Sequence, residues 1–500
     1  IYTMTKSQKR LFSLYGMGIL IAMLIFFLRA HPLIVFDTDD WLYIYYTRPP
    51  FLLWGDWNPS RILPEVFMPL CSQLAVWLIY PFSGDYIASL SFMHGTVLSL
   101  FITGYVLAFT LFVQKKLHAS FACSVTVGTL FLLMHFWIFR SADSGNAFLF
   151  SAADTTCIFY YTIPSLLNLT LIFLFESFPF LTDLHDRSRL WLKGIVIALV
   201  YFAVFSNLYS SYLLAIWAGV DFLYTGGLLL SSRKENTCTA PTLVSRILYE
   251  CAIILAWFTS VVFEFSGGRA DSLGERPFME SLSLTFSLAK ERISNCNPVF
   301  SGFVFFTLIV FFIEILVNFV RKRSQSSTLL WFVKGVLVLT LCAVYLLLCG
   351  AKTNPFYIPR SDVQMGLHSI GFVILCGIII HFVQAYSSKL LIPVALFLVF
   401  VCFQINTDGV TFADTSCTNS SWQTCYAYSR YIVEELTRAE QEHLTDYELH
   451  VPFFNDGDNF PIGVYGSMRF GNALLCHGVL SRSINVTLIP DTNINARFGF

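Results

Sequence analysis

The chain has 500 residues, of which 56% are hydrophobic and only 13% are charged. Soluble domains carry about 25% charged residues, so this composition excludes a soluble globular protein and predicts an integral membrane protein with several spans. The net charge of −1 also argues against a nucleic-acid-binding protein, because binding to a phosphate backbone needs an excess of Lys and Arg.

Apolar stretches of membrane-spanning length recur along the chain. A hydrocarbon core of about 30 Å needs roughly 20 apolar residues in one helix. The first stretch lacks a small-residue cleavage site, so we expect it to remain as a span. We predict an all-α polytopic membrane protein with eleven transmembrane helices, at 11–29, 86–113, 119–139, 158–177, 194–208, 210–231, 247–266, 299–320, 329–349, 366–386 and 390–405.

Basic residues orient these helices, because cytoplasmic loops carry an excess of Lys and Arg. With the N-terminus inside, the basic run 321–323 lies in an inner loop, and the density of Lys and Arg is higher in the short inner loops than in the outer ones. The longer loops then face outwards, at about 30–85, 140–157, 267–298 and 350–365. We therefore predict a transmembrane domain over 1–405 and an extracytoplasmic domain over 406–500. In a bacterium this places the protein in the inner membrane with its tail in the periplasm.

The segments outside the spans also have local patterns. Residues 62–80 are apolar and contain interfacial Trp and Tyr, which predicts a helix along the membrane surface. In the tail, 428–442 has helical spacing, whereas 447–454 and 483–490 favour strands. The tail is therefore predicted to be a small α+β domain. Cys417 and Cys425 are candidates for a disulfide in an oxidising compartment, a question that the sequence leaves open.

The first outer loop contains FDTDDW, which places Asp37, Asp39 and Asp40 shortly after the first span. One interpretation is that these acids only sit in water and help to fix orientation. Another is a metal site, because Asp37 and Asp39 form a D-x-D pair that can hold a divalent cation. Soluble glycosyltransferases use such a pair with nucleotide sugars, but we find no βαβ unit here and nucleotides are not supplied outside the cytoplasm.

A third interpretation is general base catalysis. Like-charged carboxylates that are partly desolvated have raised pKa values and can take a proton from an attacking hydroxyl. The sequence shows no obvious paired acid, so the leaving group must be a good one, such as a lipid phosphate. Its charge needs basic partners. The predicted phosphate-binding residues on the outer side are Arg61, Arg140, Lys352 and Arg360.

The acids after the first span, the long outer loop, the many spans and the tail together resemble the GT-C glycosyltransferases. Within that class, DDW followed by WGDWNPSR resembles the bacterial and phage-encoded O-antigen glucosyltransferases that change serotype. The resemblance implies inverting transfer of a hexose, preferably glucose, from polyprenyl phosphate to a lipid-linked or polymeric glycan. It implies Asp40 as the preferred base, ahead of Asp37 and Asp39, with no metal and no other cofactor.

Sugar rings expose C–H faces that stack on aromatic side chains. The residues expected to contact the sugar or the acceptor are Trp41, Trp57, Glu65, Tyr209 and Tyr357. The interfacial aromatic belt is the alternative for each aromatic residue. The alternative function is a transporter or flippase for a lipid-linked glycan, which should carry buried charge near the midplane and repeated halves. The sequence instead places its charges towards the outer ends of spans and shows no repeat.

Overall fold

The structure is a computed structural model. It describes residues 4–51, 57–141, 146–184, 186, 189–235, 240–266, 276–321, 326–406, 411–414, 416–455, 457–463 and 466–500. Most of these residues are helical, as the composition predicts. The Trp54 end of the WGDWNPSR motif lies outside the described residues.

Helices and two short strands make up the regular elements of the described residues. In chain order they are α1 Lys6–Ile25, α2 Thr38–Tyr43, α3 Ile62–Leu78, α4 Tyr80–Ser83, α5 Tyr86–Lys115, α6 Phe121–Trp137, α7 Thr155–Cys157, α8 Ile163–Ser177, α9 Leu190–Val204, α10 Leu208–Glu235, α11 Ala240–Ser266, α12 Phe278–Ser294, α13 Pro298–Val320, α14 Ser326–Lys352, α15 Ser361–Ala385, α16 Leu391–Ile405, α17 Trp422–Gln441, β1 Asp446–Val451, α18 Gly466–Cys476, β2 Asn485–Pro490 and α19 Thr492–Phe498. Two π-helical turns, Phe26–Ala30 and Ile158–Thr162, extend α1 and join α7 to α8.

Nine helices within the described residues are long and apolar enough to cross a membrane, which confirms a multi-pass α-helical membrane protein. They are Lys6–Ala30, Tyr86–Lys115, Thr155–Ser177, Leu208–Ser231, Pro241–Ser266, Pro298–Val320, Leu329–Lys352, Ser361–Ala385 and Ser388–Ile405. Each overlaps one of the eleven predicted spans.

The other two predicted spans are the shorter helices α6 and α9. They have 17 and 15 residues, which correspond to about 26 and 23 Å of helix at 1.5 Å per residue. Both are apolar, but they fall short of the length that identifies the other nine. The count of eleven and the orientation in the membrane stay predictions.

The described residues cluster into two compact units. The bundle unit contains Ile1–Met17, Thr103–Phe150 and Pro164–Phe412. The loop-and-tail unit contains Gly18–Ile102, Ser151–Ile163 and Ala413–Phe500. The predicted first outer loop and the tail therefore belong to the same compact unit. The division into domains at residue 405 stays a prediction.

Aromatic packing forms the core of the bundle unit. The rings of Phe109 and Phe131 stack with centroids 3.9 Å apart. His135, which is fully buried, is hydrogen-bonded to the hydroxyls of Tyr105 and Ser369 at 3.2 and 3.1 Å. A buried histidine that is satisfied in this way is a packing residue.

In the loop-and-tail unit, α17, β1 and β2 overlap the predicted helix and strands of the tail. The strands pair in parallel, with Leu449 opposite Leu488 and α18 as the crossover. The sequence-based conclusion that the chain has no βαβ unit is therefore wrong. Six-residue strands carry no signal of their relative direction, and the glycines at 466 and 471 obscured α18.

Candidate active site

Two short segments of the loop-and-tail unit each begin a helix with an aspartate. Asp37 caps α2 and accepts a hydrogen bond from the Asp39 amide at 2.6 Å. Asp154 caps α7 and accepts one from the Cys157 amide at 2.5 Å. Aspartate is favoured at such positions because its carboxylate satisfies an otherwise unpaired amide.

Asp40 joins these two segments. Its side chain is fully buried. One carboxylate oxygen accepts the Phe36 amide at 3.1 Å, and the other accepts the amide and hydroxyl of Thr156 at 2.6 and 2.7 Å. These contacts fix α2 against the start of α7 and bring the three carboxylates Asp37, Asp40 and Asp154 into one acid cluster.

A thiol lies beside the acid cluster. One ligand atom from each of Asp37, Asp154 and Cys417 falls within 4.8 Å of the others. The Cys417 sulfur is 3.5 Å from a carboxylate oxygen of Asp37 and 3.4 Å from the Ala153 carbonyl. Asp37 is buried, whereas Asp154 and Cys417 are half-buried. The two half-buried groups are the accessible part of the site.

These three side chains offer donors that a divalent cation could use. Ligands at about 2.0–2.3 Å from a metal lie roughly 3–4 Å apart, and the Cys417 sulfur lies 3.5 Å from an Asp37 oxygen. The absence of a metal from the mechanism stays a prediction.

Burial and mutual repulsion change the titration of the acid cluster. Burial, with Asp154 and Asp40 nearby, raises the pKa of Asp37 to about 9. Burial and Asp154 raise the pKa of Asp40 to about 7, against the lowering effect of the Thr156 hydrogen bonds. Burial likewise raises the pKa of the Cys417 thiol, which therefore stays protonated. At neutral pH the cluster holds a proton that ordinary aspartates would release.

Asp39 has a different environment. Its side chain is 57% exposed and lies 2.7 Å from the guanidinium of Arg469. Arg469 also donates to the Thr38 carbonyl at 3.1 Å, and the Thr38 amide donates to Pro461 at 3.1 Å. These contacts attach the tail to α2, the helix that carries Asp40.

Glu65 forms a buried ion pair in the same unit. It is 1% exposed and accepts hydrogen bonds from Arg48 at 2.5 Å and from the Tyr160 hydroxyl at 2.9 Å. Both of its oxygens are engaged, so the geometry makes Glu65 a structural residue of this unit.

The predicted aromatic contacts of this unit differ in accessibility. Trp41 is fully buried, and its ring packs 5.1 Å from Phe470 and 6.4 Å from Tyr86. Trp41 therefore stabilises α2 by packing and is not accessible to a sugar. Trp57 and Arg61 are half-buried, and Arg61 has a left-handed backbone (φ 61°) at the start of α3.

The remaining predicted residues belong to the bundle unit. Arg140 is buried and donates to the Ile405 and Thr411 carbonyls at 2.8 and 3.3 Å, with its guanidinium 4.3 Å from the Phe412 ring. Its hydrogen-bonding capacity is thus used to hold the chain that follows α16.

A second group of predicted residues comes from the start of α10 and from the end of α14 with the loop that follows it. The Tyr209 hydroxyl is hydrogen-bonded to Thr353, and the Tyr209 and Tyr357 rings are 6.0 Å apart. Arg360 stacks 5.2 Å from the Tyr357 ring and pairs with Asp362 at 2.5 Å. Lys352, the last residue of α14, is exposed.

Sequence reasoning missed Asp154, Thr156 and Cys417. Asp154-Thr-Thr before an apolar run is an N-cap pattern, as is Asp37-Thr before α2, so a search for capped helix starts would have found it. For Cys417, the question of a disulfide is now answered, because it and Cys425 are both free thiols in the structure. No family model, curated protein or solved structure matches this chain.

Proposed function

We propose that the protein is a membrane glycosyltransferase that moves a hexose from polyprenyl phosphate to a lipid-linked or polymeric glycan on the extracytoplasmic face. The observation that carries this proposal is the acid cluster, in which the buried Asp37 and Asp40, whose pKa values are raised, lie with the half-buried Asp154 beside a predicted membrane surface. Such groups suit general base catalysis, because an effective base has a pKa near the working pH.

The reaction needs only one proton acceptor. An acceptor hydroxyl attacks the anomeric carbon of the donor and forms the new C–O bond, while the bond from that carbon to the phosphate oxygen breaks. The bonding electrons leave with the polyprenyl phosphate, and the hydroxyl proton passes to a carboxylate. Attack from the face opposite the leaving group inverts the anomeric configuration.

Within the acid cluster, Asp37 and Asp154 are better placed than Asp40 for this proton transfer. Asp40 is fully buried, and its two oxygens accept three hydrogen bonds from backbone amides and a hydroxyl, so it acts as a positioning residue. Asp37 and Asp154 each accept one backbone amide and one thiol, which is a weaker donor. Asp154 is half-buried and lies at the accessible edge of the cluster. Asp154 is therefore the carboxylate that an acceptor hydroxyl can reach, with Asp37 as its buried partner.

The donor phosphate needs a cation. Among the predicted phosphate-binding residues, Arg140 is bound to backbone carbonyls and Arg360 to Asp362. Lys352 is exposed but belongs to the bundle unit, whereas Arg61 belongs to the same unit as the acid cluster. Arg61 is therefore the favoured phosphate-binding residue.

The experiment is transfer of radiolabel from a polyprenyl-phosphate hexose in membranes that contain the full chain. Asp154→Asn and Asp37→Asn should each lower the rate by about 10²–10⁴-fold, the usual contribution of general base catalysis. The control is Glu434→Gln, which removes an exposed carboxylate of the same unit and should leave the rate within twofold. Full activity in both cluster variants, at equal expression, would remove the base assignment.

One observation favours the alternative of a transporter for the same lipid-linked glycan. The bundle unit holds buried charges on membrane-length helices: Asp221 and Glu250 are both buried and lie against Arg246. Such charges often mark transport pathways. A transporter would move a labelled lipid-linked glycan across a sealed vesicle without any new glycosidic bond, whereas the proposed enzyme makes that bond.

A further inference from the structure

The bundle unit contains a cavity of about 480 Å³. It lies between the second halves of α5, α8, α10 and α15 and the first half of α14. These are the ends that the basic-residue rule places at the cytoplasmic side. The volume falls in the range of about 300–1,000 Å³ that is typical of small-molecule sites.

Most of the cavity wall is apolar and aromatic. The residues that shape it include Phe112, Phe173, Trp217, Trp331, Val338 and Ile374. Trp331 lies so close to α15 that a Cβ added at Gly377 would be 1.9 Å from its ring. The absence of a side chain at Gly377 therefore gives the indole its place in the wall.

The most strongly polar part of the wall is already neutralised. Glu176 accepts the Trp217 indole N–H at 3.1 Å and lies 2.7 Å from the Lys116 ammonium and 3.2 Å from that of Lys334. Lys334 also binds Asp221. Because these charges satisfy one another, the inner part of the cavity favours an uncharged, apolar occupant.

The mouth of the cavity has the opposite character. Lys116 has 44% of its side chain exposed, and the cavity residues His118 and Gln384 are also exposed. Glu176 keeps Lys334 and the Trp217 N–H as partners if Lys116 turns towards another anion. A basic mouth above an apolar wall complements an amphiphile with a negative head and a hydrocarbon chain.

We propose that this cavity binds one hydrocarbon chain of a lipid phosphate, with the phosphate at Lys116 and His118. A glycerophospholipid and an isoprenoid phosphate share this chemistry, since each joins a phosphate to an apolar chain. The site lies wholly within the bundle unit and does not depend on the proposed transfer reaction.

The test uses the full-length protein in phosphatidylcholine vesicles with photoreactive probes. Phosphatidylglycerol, polyprenyl phosphate and phosphatidylcholine each carry a diazirine in the chain, and mass spectrometry locates the labelled residues. We expect one of the two anionic probes, or both, to label the cavity helices at least threefold more than phosphatidylcholine does. Labelling only on residues outside the cavity would overturn the proposal, and this wild-type measurement needs no variant.

Two matched variants on α14 test the occupant directly. Val338→Trp fills the cavity, whereas Val336→Trp adds the same bulk at a 37% exposed position that does not line it. We expect labelling to fall at least fivefold in the first variant and to stay within twofold in the second. Lys116→Gln should remove most of the preference for the anionic probes. Equal labelling in the two Trp variants would show that the chain does not enter the cavity.

Discussion

Asp37→Asn replaces a buried carboxyl by an amide of the same shape, and the structure predicts that it stabilises the protein at alkaline pH. The pKa of Asp37 rises from 3.8 to about 9 on folding because of burial, Asp154 and Asp40. Between these values the folded protein holds a proton that the unfolded chain releases. The stability that this proton contributes is therefore fully present below about pH 4 and is lost as the pH rises towards about 9.

The size of this effect follows from the linkage between proton binding and folding. Within that window each pH unit costs about 1.4 kcal/mol per proton. Between pH 5 and pH 8 the wild type should thus lose up to about 4 kcal/mol of unfolding free energy that Asp37→Asn does not lose. The variant should also lose sugar transfer, so its gain in stability and its loss of activity would occur together.

The assay is thermal unfolding of the purified protein in detergent, followed by Trp fluorescence at pH 5, 6, 7 and 8. The midpoint of Asp37→Asn should rise progressively above that of the wild type as the pH increases. The control is Asp39→Asn, which removes an exposed ion pair worth at most about 1 kcal/mol. Parallel pH curves for the wild type and Asp37→Asn would refute the reasoning.

Three further substitutions each test one contact of the structure. Thr156→Val removes the 2.7 Å hydroxyl hydrogen bond to Asp40, so the pKa of Asp40 should rise. Asp40 then stays protonated to higher pH and repels the Asp154 charge less, so the acidic limb of the transfer pH profile should move down by up to about one unit. Gly377→Ala puts a Cβ 1.9 Å from the Trp331 ring and should cost about 1–3 kcal/mol in a denaturation assay. Glu65→Ala leaves the half-buried Arg48 guanidinium and the Tyr160 hydroxyl without their shared acceptor and should cost about 1–3 kcal/mol in the same assay.

Each of these substitutions has a matched control variant. Thr156→Ser keeps the hydroxyl and should leave the pH profile in place. Gly371→Ala lies on the same helix as Gly377 but meets nothing within 4 Å, so it should not destabilise. For Glu65, Glu65→Gln keeps the shape and one of the two acceptor oxygens and should cost less than Glu65→Ala. A pH limb that moves as far in Thr156→Ser as in Thr156→Val would contradict the assigned contact.

The membrane character of the chain was predictable because length and hydrophobicity are local properties. Nine predicted spans overlap nine long apolar helices of the structure. The shorter α6 and α9 were harder to classify, because 17 and 15 apolar residues suit either a short span or a buried helix. In the tail, the direction of pairing between β1 and β2 depends on tertiary contacts and gave no signal.

The candidate site was predictable only in part, because tertiary contacts bring its residues together. Asp37 and Asp40 attract attention because they are neighbouring acids in a chain with few charges. Asp154 is far away in sequence, and only the hydrogen bonds from Thr156 to Asp40 bring it close. The indole of Trp41 is a side chain that could stack on a sugar ring. Only the structure shows that it is fully buried, because it packs against Phe470 of the tail.

In the proposed reaction the acid cluster works at the extracytoplasmic surface, where the lipid-phosphate donor is expected. The most direct measurement introduces single cysteines into a cysteine-free chain and labels intact cells with a membrane-impermeant maleimide. Tyr46→Cys reports on the loop of the acid cluster at a 45% exposed position, and Lys389→Cys reports on a predicted inner loop at an exposed residue. We expect labelling at position 46 and none at 389 until the cells are opened. Labelling at 389 with protection at 46 would place the acid cluster in the cytosol, where the proposed reaction does not occur.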